Sequence, residues 1–364
     1  MRIQQAVGLA MLAMFPVVAI AQTPSIVNGN VQQRAVTSSL SAEFSALVKE
    51  QAAPAWIGYA VPAVNGNFEE CCNYEYGSTR FCGQCRLEDG NQNFSMNSEK
   101  RTAHLETPDL LVLFRVENRS LEKIRTFSEG CELDAGGRTV YWLTGVNPAE
   151  SVALLASFAK GPGSARDSEG AGDQDHIADG AMAAIAMHAA PEADTALREF
   201  LAADQPAKTR ERAAFWMASA RGKAGFEAIK PLARADGDDH FREKLMFDLT
   251  LSKEPEAIDV LIDSAHHDPS PHVRGQAIFW LAQKAGNKAE GAITEAIERD
   301  PETEVKKKAV FALSQLPKDD GVPLLIQTAR TNSNPAVRKD AMFWLGQSND
   351  PRALAFFEQV LGQP

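Results

Sequence analysis

Past residues 6–20 the chain has no apolar run approaching the ~18 residues that a membrane-spanning helix requires, so the sequence offers no later span. Positive charge is in deficit: 37 Lys and Arg against 48 Asp and Glu give a net charge of −11, which argues against a general nucleic-acid binder. Histidine is scarce, and His104 is the single one within 37–160. No paired nucleophile and base stands out, so no catalytic set and no cofactor-binding motif is read, and the reading is of a protein that is not an enzyme. The early apolar run follows Met1 and Arg2 and ends in Ala19, Ile20 and Ala21. That pattern is a signal peptide over 1–21, cut after Ala21. No cysteine follows the cut, so no bacterial lipid anchor is indicated. The expected location is periplasmic or secreted.

Cysteine is also sparse. All five, Cys71, Cys72, Cys82, Cys85 and Cys131, fall within one stretch. In an exported chain they read first as disulfides, with the odd count leaving at least one unpaired or intermolecular. Adjacent Cys71 and Cys72 bond to each other only with strain, so each is better paired with Cys82, Cys85 or Cys131. Two alternatives stay open: a zinc site from Cys71, Cys72, Cys82 and Cys85, whose last two form a CxxC half-site, and a redox pair Cys82/Cys85, where Arg80 and Arg86 would lower a thiol pKa.

What the chain does have is a period. Phe215, Phe247, Phe279, Phe311 and Phe343 recur every 32 residues, in phase with Asp204, Asp236, Asp268, Asp300 and Asn332. Six residues after each of the latter stands a cation: Arg210, Arg242, Arg274, Lys306 or Arg338. Val273, Val305 and Val337, small Ala213, Ala277, Ala309 and Ala341, and apolar Met217, Leu249, Leu281, Leu313 and Leu345 follow in steps of four, which puts them on one helical face. A second in-phase set, Leu197, Ile229, Leu261, Ile293, Leu325 and Phe357, marks another helix per unit. Each unit is thus a helical hairpin that buries its apolar face only against its neighbours. Asp-Pro at 268–269 and 300–301 and Asn-Pro at 334–335 supply helix caps and early prolines.

The arrangement of Asp, five residues, Arg or Lys, two residues and Ala, with Val before the cation and Leu after, resembles the HEAT repeat family over roughly 173–364. The resemblance implies an α-solenoid in which the Asp and the Arg or Lys stack as polar ladders between units. Before it, a small α+β, cysteine-rich domain is read over 37–160: a helix at 38–50, strands at 55–64 and 139–144, a hairpin of 110–117 with 123–127, and a helix at 147–159. Residues 22–36 read as a polar segment, 161–174, rich in Gly, Ser and Asp, as a flexible linker, and 175–364 as the repeat domain.

At 100° per residue the Phe slot falls opposite the Val, Ala and Leu slots, among polar neighbours: Lys208, Glu211, Arg212, His240, Lys244, His272, Gln276, Lys307, Lys308 and Lys339. The resemblance places this helix on the concave side. A groove with an aromatic ridge and mostly basic flanks follows, with Phe215, Phe247, Phe279, Phe311, Phe343, Arg212, Lys244, His272 and Lys308 as candidate protein-binding residues and a protein segment as the partner. Rings that stack sideways to seal the helix layer fit the same pattern. Trp216, Trp280 and Trp344 are read as core. His240, His266, His267 and His272 crowd one hairpin junction without metal-ligand spacing. The function expected is an interaction scaffold, with thiol or zinc chemistry of the cysteine-rich domain as the alternative.

Overall fold

A computed structural model describes residues 24–64, 74–76, 79–81, 85–88, 109–128, 132–160 and 171–362. Residues 1–21, His104, and Cys71, Cys72, Cys82 and Cys131 lie outside them, and Cys85 is described in its backbone alone. Among the described residues no helix is long and apolar enough to cross a membrane.

The first part of the chain builds a sheet with helices on one face. Its elements are β1 (Ile26–Val27), β2 (Asn30–Ala35), α1 (Leu40–Glu50), β3 (Ala55–Pro62), β4 (Tyr74–Tyr76), β5 (Thr79–Phe81), β6 (Cys85–Arg86), β7 (Asp109–Glu117), β8 (Ser120–Ser128), β9 (Leu133–Asp134), β10 (Thr139–Thr144) and α2 (Pro148–Ala159). The main sheet runs β2-β10-β3-β7-β8, with β10 parallel to both its neighbours and the rest antiparallel. Alternation along β3 separates two cores. Ile57, Tyr59 and Val61 face α1, α2 and the helices beyond, and the Tyr59 hydroxyl meets the Ser151 hydroxyl at 2.9 Å. Trp56, with Leu111, Leu113 and Trp142, faces the small parallel sheet β1-β9-β6. Gly58 is required there: a Cβ would fall 2.9 Å from the Trp142 ring.

Strand β2 occupies most of the stretch read as a polar N-terminal segment. Its exposed Asn30, Gln32, Gln33 and Arg34 carry no apolar alternation, and backbone pairing to β10 makes it an edge strand. The expected linker also shortens. Residues 161–170 are outside the described set, while 171–174 already belong to α3 (Ala171–Met187).

Helix α3 joins the two halves. Its buried Ala181, Met182 and Ile185 belong to the same apolar cluster as Phe114 and Ile124 of the sheet and Met217 of the repeats. Gly180 sits so close to β8 that a Cβ would lie 2.6 Å from the Ile124 carbonyl oxygen. Arg221, nearly buried, ties the end of α3 down by donating to the carbonyls of Ala186 (3.0 Å) and His188 (2.7 Å) and to the Asp194 carboxylate (2.7 Å).

The hairpins that follow are α3 with α4 (Glu192–Phe200), α5 (Ala207–Ala220) with α6 (Gly222–Ala235), α7 (Asp239–Leu251) with α8 (Glu256–His267), α9 (Pro271–Ala285) with α10 (Glu290–Arg299), α11 (Thr303–Gln315) with α12 (Lys318–Thr331), and α13 (Pro335–Gln347) with α14 (Pro351–Leu361). The in-phase Val, Ala, Met and Leu residues of the first helices are all buried, as are Leu197, Ile229, Leu261, Ile293 and Leu325 of the second. In α14 the buried ring is Phe356, one residue before the slot the period assigns, and the in-phase Phe357 is half-buried.

Candidate interaction face and polar ladder

The polar ladder has one construction repeated three times. Arg242 donates through Nε and Nη2 to the Asp268 carboxylate (2.8 and 2.9 Å) and through Nη1 to the Asp236 carbonyl (2.5 Å). Arg274 does the same to Asp300 (2.7 and 3.0 Å) and to the Asp268 carbonyl (2.9 Å). Arg210 pairs with Asp236 and donates to the Leu201 carbonyl (3.1 Å). Each arginine therefore binds its own unit's loop and the next unit's aspartate. Each aspartate also accepts the amide two residues on, as Asp268 does from Ser270 (2.8 Å). These forked, charge-assisted bonds are buried and geometrically specific. Asp204 stands outside the ladder: it is exposed, and the slot 32 residues before Arg210 holds Ala178. Lys306 and Asn332 do not pair either. Lys306 donates to the Glu298 carbonyl (2.8 Å) and Asn332 to that of Ile297 (3.3 Å), while Arg338 donates to the Asn332 carbonyl (2.8 Å).

On the opposite side of the first helices the aromatic rings form a continuous ridge. Phe247 meets Trp280 of the next unit (ring centroids 4.9 Å), Trp280 meets Phe279 (4.8 Å), Phe279 lies parallel to Phe311 (6.1 Å, 4°), Phe311 meets Trp344 (4.8 Å), and Trp344 meets Phe343 (5.0 Å). A single slot, one residue after each Phe, explains the variation. Where it holds Trp280 or Trp344, the Phe of the preceding unit packs on the indole. Where it holds Ala312, Phe279 stacks on Phe311 directly. Where it holds Asp248, Phe215 keeps only the edge-on contact with its own Trp216 (5.2 Å) that Phe279 and Phe343 also make with theirs, among the ring contacts of the described residues. All three tryptophans are half-buried rather than core residues, Trp280 and Trp344 as links of the ridge and Trp216 beside Phe215. Ring contacts of this kind contribute about 0.5–1.5 kcal/mol each beyond area burial, yet Phe215 and Phe247 remain 37% exposed and Phe343 54%. Sealing and exposure coexist.

The flanks are not mostly basic. Arg212 is paired with Asp179, Lys307 with Glu304 (3.2 Å), and Gln276 donates to Glu243 (3.0 Å), while His240 lies between Glu211 (3.9 Å) and Glu243 (3.8 Å). Lys208, Lys244, His272 and Lys339 are exposed. Lys308 crosses Gly275, where a Cβ would come 2.5 Å from its Cδ, so the missing side chain lets the lysine stem pass between α9 and α11. Arg212 and Gln276 meet these carboxylates in the preceding unit, whereas Lys307 and His240 each meet one three residues away on their own helix.

Asp248 is the feature the amino-acid pattern concealed. It is only 5% exposed, and its carboxyl is pushed up to about 7, first by burial and then by Glu211, against the opposing pull of Lys244. Aligning the slot after each Phe, which reads Trp, Asp, Trp, Ala, Trp, exposes it. Of the four histidines of the hairpin junction, His266 and His267 lie edge to face (5.8 Å), with His267 bonded to Asp263 (3.0 Å) and His266 facing Glu295 (3.7 Å), while His240 and His272 lie on α7 and α9. Among the described residues no group of three or more His, Cys, Asp or Glu side chains could hold a metal ion.

Residues 291–364 match the family of HEAT repeats. No curated relative matches the chain. Among solved structures the chain is similar in part to human deoxyhypusine hydroxylase in complex with glycerol, at 15% identity over 55% of this chain and 76% of that one, TM-score 0.30. It is also similar to the CpcE and CpcF complex of phycocyanin lyase from Nostoc sp. PCC7120, at 22% identity over 42% and 98%, TM-score 0.33. A third likeness is to the Cnd3-Cnd2 subcomplex of S. pombe condensin, at 15% identity over 58% and 30%, TM-score 0.37. The match to HEAT repeats covers the C-terminal end of the chain, and helical hairpins of the same 32-residue period run back from it to α5.

Proposed function

We propose that the protein is a non-enzymatic scaffold, acting in the periplasm or outside the cell, that binds a protein segment along the first-helix face of its solenoid. The observation that supports this reading most is the aromatic ridge itself. Six rings from Phe247 to Phe343 are in unbroken contact, and the Phe edges are left in water although the apolar faces of the same helices are fully packed. Aromatic side chains in rigid, half-exposed rows are the anchors that interaction hot spots use. The alternating charges beside them suit an occupant of mixed charge, extended or helical, with apolar anchors. In the HEAT geometry this face is the concave one.

The test is a cross-linked capture from the exported fraction with wild type and with Phe247→Ser/Phe343→Ser. These two rings are the ridge members whose loss disturbs packing least. Loss of the captured protein with an unchanged melting temperature supports the reading. A fall in melting temperature of several degrees, or capture unaffected by the substitutions, removes it.

A further inference from the structure

Two independent irregularities fall at one place in the solenoid, the junction between the α9/α10 and α11/α12 hairpins and the unit after it. The first is in the ladder. Arg210, Arg242 and Arg274 each clamp an aspartate of the next unit, but the following pair in register is Lys306 and Asn332, whose polar groups are bonded to the backbone of α10 instead. A forked guanidinium and carboxylate resist sliding of one unit past the next, and here that restraint is missing.

The second is in the packing of the second helices. Pairs α6/α8, α8/α10 and α12/α14 lie closely side by side, whereas α10 and α12 approach each other less closely than any of them. A cleft of about 260 Å³ opens between the two, lined by Thr294, Ile297, Glu298, Gln327, Thr328 and Thr331. A further cavity of about 180 Å³ lies across α12, bounded by Leu313, Leu316, Val322, Leu325 and Trp344. Side chains that border a void lack contact atoms on that side, so α12 is loosely held toward α10 while it stays closely packed on α13.

The first-helix layer is closed across the same region. Phe279 stacks on Phe311 and Phe311 on Trp344, Asn334 donates to the Thr303 hydroxyl (2.9 Å), and Val305, Ala309, Val337 and Ala341 are buried. One layer is continuous and the other is open, which is the geometry of a hinge.

We propose that the solenoid bends at this junction, α10 and α12 parting or closing about the first-helix layer, with the aromatic ridge as the pivot. Closely packed, cross-bonded units move as one body, so the bending concentrates where both the rung and the packing fail. If the ridge binds a protein segment, as proposed above, this hinge lets its curvature follow the occupant; the bending itself does not depend on that reading.

The test needs no partner. Spin labels on noncanonical side chains, which leave the five cysteines untouched, are placed on the mature protein at Asp259 and Ala355, on α8 and α14, and in a second sample at Thr195 and Gly291, on α4 and α10. Both pairs span 96 residues of the repeat register, and all four positions are exposed. The expected result is a broader distance distribution for 259/355 than for 195/291, and its narrowing in Lys306→Arg/Asn332→Asp, which rebuilds the rung. Moving the break, with Arg274→Lys/Asp300→Asn, should broaden the 195/291 distribution. Equal widths for the two pairs, or widths indifferent to both double variants, would overturn the hinge. Neither outcome bears on partner capture, so the two readings fail separately.

Discussion

Asp248 replaces an indole that three other units carry in the same slot, and the consequence is a carboxyl group held near neutrality inside the helix layer. Its ordinary value is 3.8 and its folded value about 7, raised by burial and by Glu211 of α5 and lowered by Lys244 of α7. The folded protein therefore binds more protons than the unfolded chain between these values, and stability falls as pH rises through that window. A tenfold change in proton affinity is worth about 1.4 kcal/mol, so the penalty above pH 7 is on the order of a few kcal/mol. Asp248→Asn removes the titration and keeps the shape. The variant should melt higher than wild type at pH 8, with the difference shrinking as pH falls below 7 and vanishing only near 3.8; a difference independent of pH would assign Asp248 a purely steric role. His188 at the end of α3 acts with the opposite sign. Burial and then Arg221 hold its ring down to about 4, so the stability it supports is intact above about 6.5 and is lost as pH falls toward 4.

At the scale of helices and loops, the ladder has strong and weak rungs, and the difference is measurable. Arg242→Ala would leave Asp268 buried without its bidentate partner, a loss of about 3–5 kcal/mol. Lys306→Ala removes only a bond to the Glu298 carbonyl and should cost about 1 kcal/mol or less. Denaturant midpoints at constant slope would compare the two; equal losses would mean that the ladder's charge pairing is not what holds the units. This element scale is also where the amino-acid pattern was most legible. A fixed period places the buried Val, Ala and Leu slots in phase with the cation of each first helix, because a solenoid repeats one environment and a like side chain answers it each time. Short apolar runs gave β3, β7 and β10 for a related reason: both faces of the sheet are packed there. Strand β2 escaped because its side chains are exposed and its structure comes from backbone pairing alone. The charge of the ridge was misread because Asp179 and Glu243 meet Arg212 and Gln276 from the preceding unit, where helical phase taken one helix at a time does not look. Trp280 and Trp344 escaped similarly, since an indole on a flank reads as core until the ring it touches in the preceding unit is seen.

For the whole molecule, one continuous apolar cluster runs from Leu40 and Phe114, through Ala181, Met182 and Ile185 of α3, to Leu345 of α13. A chain whose sheet and solenoid share a core in this way should not unfold as two bodies, even though its composition changes sharply at 161–170. The contact that decides the matter is Gly180 against β8, where an added methyl group would fall 2.6 Å from a backbone oxygen that cannot rotate away. Gly180→Ala must push α3 off the sheet, at a cost of about 1–3 kcal/mol for an overpacked site. If the core is shared, calorimetry of the mature wild type gives one cooperative transition, and in the variant that whole transition moves down by several degrees. If sheet and solenoid are separate folding units joined by a tether, the variant instead shows one component shifted and the other in place, and α3 is then a contact between two domains rather than the element that unites them.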